Sequence, residues 1–247
     1  MSTNKKVALI TGANKGIGLE TARQLGQQGI TVLIGARDES RGKEAAAKLT
    51  SEGIDAHYIK VDMEQPAGFQ AVHDEIARTY GKLDILVNNA GIQAEEAGWG
   101  QNTVTSTSYA DLLKTFDVNV FNLIGLTQTL LPLIRKADAG RVVNLSSILA
   151  SLHLHATPGS PIYDSKAFAY DMSKTALNQF TVHLAHALKD TNIKVNSAHP
   201  GWVKTDMGTD AAPMEIPDGA KTSVRLATLP ADGPTGGYFH LNDTLPW

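Results

Sequence analysis

The chain has 247 residues, 42% of them hydrophobic and 19% charged, which is enough length and apolar content for a sizeable core and excludes a disordered tail or a fibre. It has no cysteine, so disulfide frameworks, thiolate metal sites, iron–sulfur clusters and thiol nucleophiles are excluded as well. Against 25 Asp and Glu stand 22 Lys and Arg, a net charge of −3 with no basic cluster, and nucleic acid is not an expected partner.

Short β-branched runs alternate with longer amphipathic ones from the start. A strand is expected at residues 7–11, a helix at 16–28, a strand at 30–36, a helix at 40–51, a strand at 57–61 and a helix at 65–80. The fourth strand follows at 84–88, then a long helix at 109–135, a strand at 141–146, a helix at 170–189, a strand at 193–198 and a last short strand at 238–241. Strands separated by helices of this length imply right-handed parallel crossovers, with helices on both faces of the sheet. The expected fold is a doubly wound, Rossmann-type α/β sheet in one domain over residues 1–247. Cofactor-binding elements fall mainly in 1–125, and catalytic and substrate elements mainly in 140–247. Residues 149–167 and 201–219 read as loops that follow strand C-termini, where ligands bind in such sheets. No run of about 18 apolar residues occurs, and MSTNKK passes directly into VALIT, so a cytoplasmic protein without a membrane partner is expected.

TGANKGIG, residues 11–18, joins the first strand to the first helix. Glycines at Gly12, Gly16 and Gly18 permit a tight turn, with Asn14, Lys15 and Ile17 between them, and let backbone approach a pyrophosphate at a helix N-terminus. GxxxxGK[ST] is absent, so this is not a P-loop. Where an NAD site places a carboxylate after the second strand, this chain reads Gly35, Ala36, Arg37, Asp38. Lys15 and Arg37 can converge on a 2′-phosphate, which favours NADP; Asp38 reaching the ribose would restore NAD. Arg41 is a weaker third cation.

Tyr170 and Lys174 stand at i and i+4, on one helix face. An ammonium about 4 Å from a phenol favours phenolate by about 4 kcal/mol at an effective dielectric near 20, or about three pKa units, which would bring Tyr170 near neutrality. Tyr163 and Lys166 form a competing pair, but Pro158, Gly159 and Pro161 precede them, whereas Tyr170 continues into Leu177, Phe180, Leu184 and Leu188 at helical spacing.

Four segments in order, TGANKGIG, NNAG (88–91), VVNLSS (142–147) and YDMSK (170–174), resemble the short-chain dehydrogenase/reductase family across nearly the whole chain. ARDESRG together with Lys15 looks most like that family's NADPH-dependent carbonyl reductases. The resemblance implies that Tyr170 is the proton donor, Lys174 also holds the nicotinamide ribose, Ser147 rather than Ser146 positions the carbonyl, and Asn119 completes a proton relay. It further implies backbone at Asn89, Ala90 and Gly91 against the adenosine ribose. In HPGWVKTDM, Pro200, Gly201, Val203 and Thr205 would lie by the nicotinamide carboxamide. Asp62 looks like the adenine ligand, the alternative being a turn or helix-start acid.

The 23-residue interval from Ser147 to Tyr170 is longer than is usual in the family, so inserted residues including His153 and His155 are expected at the substrate mouth. A much longer insertion covers the dimer face in the monomeric carbonyl reductases; the shorter one here points to a homo-oligomer, dimer or tetramer, with a monomer as the alternative. Trp99 and Trp202 follow strand C-termini and are candidate pocket walls with His153, whereas Trp247 seals the C-terminus. His183 and His186 have no HExxH or carboxylate company, and no metal is expected. The reading is an NADPH-dependent reductase of ketones and aldehydes. A dedicated sugar, steroid or 3-oxoacyl thioester enzyme and a catalytically silent NADP sensor are the alternatives.

Overall fold

The computed structural model describes residues 5–95 and 104–247. Its strands are β1 (Val7–Thr11), β2 (Thr31–Ala36), β3 (Ala56–Lys60), β4 (Ile85–Asn88), β5 (Arg141–Leu145), β6 (Lys194–Ala198), β7 (Tyr238–His240) and β8 (Asp243–Thr244). They form one sheet in the order β3-β2-β1-β4-β5-β6-β7-β8. Every pair is parallel except the last, where β8 turns back antiparallel on β7. The helices are α1 (Gly16–Gln27), α2 (Glu39–Ser51), α3 (Phe69–Tyr80), α4 (Tyr109–Phe116), α5 (Asn122–Ile134), α6 (Leu152–Ala156), α7 (Phe168–Ala187) and α8 (Ile216–Ala227).

The two-residue period of the strands divides the interior into two layers. Val7 and Leu9 of β1 join Leu86, Val142 and the apolar faces of α3, α5 and α7. Ala8 and Ile10 point the other way, into a core closed by Ala22 and Leu25 of α1, Leu49 of α2 and Val224 of α8. Ile10 is fully buried, and removing a side chain of that size from water contributes about 2 kcal/mol. The expected doubly wound sheet with helices on both faces is therefore present.

Several elements differ from the sequence reading. The single helix expected over 109–135 is α4, a π-helical turn (Asp117–Phe121) and α5, so the strand-facing side is re-aimed in the middle. This continuous stretch is apolar and long enough by composition to cross a membrane, but half of its most apolar window is buried inside the fold. Residues 149–167 contain a 3₁₀ turn (Ile148–Ala150) and α6, and α8 begins within the expected 201–219 loop. Strand order reverses about β1, whose neighbours are β2 and β4, and the C-terminal ends of β1 and β4 open a crevice there.

Candidate active site

The crevice is lined by the glycine turn. Gly12 and Gly16 have φ of +64° and +56°, which side-chain-bearing residues rarely adopt. A Cβ on Gly18 would meet Asn89 Nδ2 at 2.5 Å and Gly12 O at 2.6 Å, so this position has no room for one. Asn89 Nδ2 donates to Thr11 O at 2.8 Å and Gly12 O at 3.3 Å, while Thr11 Oγ1 accepts from the backbone N–H of both Asn89 and Ala90 at 3.0 Å. Thr11 thus ties the first glycine turn to NNAG across the reversal point, a role the motif reading did not assign. Asn14 and Lys15 lie in the turn, Lys15 immediately before α1, and Ile17 faces the cavity described below.

On the flank, Lys15 forms an exposed ion pair with Asp206, and Arg37 Nη1 lies 3.0 Å from Glu64 Oε1. Asp38 Oδ1 accepts from Arg41 N at 2.9 Å and caps α2. Asp62 Oδ1 accepts from Glu64 N at 2.9 Å, the turn role that was its alternative. The residues fit a dinucleotide, because the turn lacks side chains where backbone must come close, a helix N-terminus stands behind it, and two cations flank it.

Ser147, Tyr170 and Lys174 meet on one wall of a cavity of about 650 Å³. Ser147 is bound to the Tyr170 phenol by a side-chain hydrogen bond and also accepts from Leu149 N at 3.2 Å. Ser146 also borders the cavity, but its hydroxyl donates to Asn178 Oδ1 at 2.7 Å, so the second serine is the one joined to the phenol. Tyr163 lies in a turn outside any helix, with Lys166 Nζ 5.4 Å above its ring, and that pair does not replicate the helical one. Asn119 occupies the π-helical turn. Its amide exchanges hydrogen bonds with the backbone of Ile92, at 2.8 Å each, and donates to Ser173 Oγ at 3.0 Å. The Cβ position at Gly91 is 3.3 Å from both Asn119 Oδ1 and Lys174 Nζ, so the glycine makes room for both.

The expected near-neutral phenol is corrected. Lys174 Nζ lies 5.6 Å from the centre of the Tyr170 ring and donates to Leu145 O at 2.8 Å. Burial dominates both groups: it raises the phenol above its ordinary range, with the Ser147 hydrogen bond lowering it in part, and it pushes Lys174 down to about 8.

Behind Ser147, Tyr238 OH donates to Ser147 O, and His199 Nδ1 accepts from Ile148 N at 3.1 Å. Burial first and His240 second push His199 down to about 3. Neither residue was singled out by the sequence reading. Pro200, Gly201, Trp202, Val203 and Thr205 also line the cavity, and Gly201 has φ of +91° where a Cβ would clash with Met214 Sδ. Trp202 is thus a pocket residue, and its indole N–H donates to Gly208 O at 2.7 Å. Trp99 lies outside the described residues. His153 is corrected: it is exposed and does not line the cavity, because its backbone N–H turns to Trp247 O at 2.9 Å. The less exposed histidine of the insertion is His155, which is partly buried. Among the described residues no group of three or more His, Asp and Glu side chains could hold a metal ion.

A doubly wound sheet with a glycine cradle at its reversal point, and a serine, tyrosine and lysine meeting beside it, defines an oxidoreductase of the short-chain type. The sequence profile of the short chain dehydrogenase family matches residues 6–216, and the chain belongs to that family. Short-chain dehydrogenase/reductase 1 of Saponaria officinalis is 32% identical, covering 98% of this chain and 96% of its own. Carbonyl reductase (NADPH) 1 of Mus musculus is 32% identical with 100% of both chains covered. The solved structure of NADPH-bound carbonyl reductase from chicken fatty liver matches with a TM-score of 0.84 at 25% identity, over 98% of this chain and 99% of that one. The expected kinship with carbonyl reductases is borne out.

Proposed function

We propose that this protein is an NADPH-dependent reductase of ketones and aldehydes. The observation that carries the reading is the meeting of Ser147, Tyr170 and Lys174 on one wall of a largely apolar cavity that adjoins the glycine turn. Gly12, Asn14, Lys15, Gly16, Ile17 and Gly18 would hold the pyrophosphate end, Arg37 with Lys15 the 2′-phosphate, Asp62 the adenine, and Asn89, Ala90 and Gly91 the adenosine ribose. Lys174, Pro200, Gly201, Val203 and Thr205 would hold the nicotinamide end. A reduced nicotinamide, when bound, supplies hydride to a carbonyl carbon.

The chain's own residues supply the proton and the orientation. Burial keeps the Tyr170 phenol protonated at neutral pH, the form a proton donor requires. The Ser147 hydroxyl gives the carbonyl oxygen a second donor, fixing it against Tyr170 Oη. Lys174, charged below about pH 8, stabilises the phenolate that remains after the proton leaves. Asn119 would connect this pair to solvent. Ile148, Leu149, Ile162 and Trp202 give the cavity apolar walls suited to a hydrophobic carbonyl.

The test is absorbance-monitored NADPH oxidation against aldehydes, aryl ketones, quinones and keto esters, with NADH and Tyr170→Phe in parallel. NADPH-selective turnover that falls about 10³-fold in the variant, with NADPH binding intact, supports the reading. Tight NADPH binding with no turnover of any carbonyl overturns it. We also propose a homo-oligomer, supported by apolar side chains left exposed at Tyr109, Leu113 and Phe121. Light scattering reads this directly, and a monomer at micromolar concentration overturns it.

A further inference from the structure

The first turn of α7 carries Tyr170 but has no capping side chain of its own, since Ala167 stands at its N-cap. Glu95 from the segment after β4 and two side chains further along α7 itself, Asp171 and Thr175, supply what is missing. Glu95, buried after β4, accepts from Ala169 N at 2.9 Å and from Tyr170 N at 3.4 Å. Asp171 turns its Oδ2 back to Ala167 N at 2.9 Å. Thr175 Oγ1 donates to Ala150 O at 3.0 Å and so fastens the second turn to the start of the insertion.

His155, at the centre of the inserted segment, joins these. Its Nε2 faces Leu149 O at 3.0 Å, and because a carbonyl only accepts, Nε2 carries the hydrogen. The same edge lies 3.4 Å from Asp171 Oδ2. Its Nδ1 accepts from Lys166 Nζ at 2.9 Å, which completes the neutral tautomer. Asp171 Oδ1 is buried with no hydrogen-bond partner among the described residues, so Oδ2 carries the contacts of this carboxyl. Around the polar chain the insertion builds a small core of its own, in which Leu149, Ile162 and Ala167 pack on the Tyr170 ring.

We infer that the long interval between Ser147 and Tyr170 is a brace on the catalytic helix, with His155 and Asp171 as its positioning residues, holding the first turn of α7 and with it the phenol. This rests on the proposed reductase function. His155 reaches no reacting atom; it acts through Asp171 and Leu149. Displacement of a catalytic group by about 1 Å can cost up to about 10²-fold in rate, so a loosened first turn is read in kcat.

The experiment compares His155→Ala, Asp171→Ala, their double variant and Asp171→Asn in the full chain. It measures kcat and KM for the best carbonyl, NADPH affinity by fluorescence, and hydrogen exchange of the amides at 167–171. His155→Ala and Asp171→Ala are each expected to lower kcat about tenfold with NADPH affinity within about twofold. Because both act through one brace, the double variant is expected to lose no more than the weaker single variant. Asp171→Asn retains an oxygen for Ala167 N and is expected to stay within about threefold of the parent. Exchange at 167–171 is expected to rise about tenfold in the two alanine variants and to stay unchanged in α5. Unchanged kcat with unchanged exchange overturns the brace, and so do losses that multiply in the double variant. If the parent protein reduces no carbonyl, the reductase reading fails separately, and the exchange data alone decide whether the brace exists.

Discussion

Lys174 Nζ stands 5.6 Å from the centre of the Tyr170 ring, and both side chains are buried. The pair is therefore governed by lost hydration before it is governed by mutual attraction. Burial lowers Lys174 to about 8, so its charge is present at pH 7 and is lost as the pH rises through that value. For NADPH, kcat/KM reports groups of the free enzyme and is expected to fall above about pH 8. Arginine keeps its charge throughout this range, so Lys174→Arg should remove the inflection even if it lowers the plateau. An inflection that persists in the arginine variant would assign it to another group.

Arg37 is engaged by Glu64 at 3.0 Å across an exposed surface. A 2′-phosphate would have to compete with that carboxylate and would also be repelled by it. Arg37→Ala is expected to weaken NADPH far more than NADH, whereas Glu64→Gln should tighten NADPH, by at most about fivefold for so exposed a pair, with NADH unchanged. Dissociation constants from fluorescence titration decide this, and equal effects on both cofactors would remove Arg37 from the phosphate site.

Burial raises Asp171 to about 7 from an ordinary carboxylate value of 3.8. The folded state then binds more protons than the unfolded state between those two values, so this group's contribution to stability falls as pH rises from about 4 to about 7 and is level above that. Asp171→Asn cannot ionise. Its stability relative to the parent, from urea unfolding, is expected to improve between pH 5 and about pH 7 and to level off above that. His199, whose shift has the opposite sign, is common to both proteins and cancels. A difference independent of pH would show that Asp171 is already ionised at pH 5.

The segments that could be read from sequence are those whose local chemistry repeats a physical requirement. The glycine turn needs positive φ at Gly12 and Gly16, and Tyr170 and Lys174 need one helix face; both requirements are written in the spacing. The start of α8 falls inside the stretch expected as a loop at 201–219, and it carries Pro217 and Gly219, residue types that ordinarily mark loops. In the structure Pro217 stands in the first turn, where no N–H is required. Gly219 is small because Val203 packs against it, with Cγ2 only 2.6 Å from where a Cβ would stand. Glu95 has backbone partners on a remote helix, and His155 has Leu149 O, Lys166 and Asp171; the tertiary fold alone brings these groups together, so neither role shows as a pattern in the sequence. Nothing in the sequence distinguishes the exposed His153 from the partly buried His155 of the same His-x-His pair.

His199 Nδ1 accepts from Ile148 N at 3.1 Å, in the peptide directly after Ser147. Tyr238 holds the carbonyl of that same peptide, so the serine backbone is fixed from both ends. His199→Leu would leave the Ile148 N–H without its acceptor, a loss expected to cost about 1–3 kcal/mol in urea unfolding and to lower kcat. Asparagine places an oxygen near the position of Nδ1, so His199→Asn should recover most of both. Burial and His240 keep the imidazole neutral down to about pH 3, and the parent's kcat should therefore carry no inflection from His199 between pH 5 and pH 9. Equal kcat in the leucine and asparagine variants would show that the bond to Ile148 does not hold Ser147 in place.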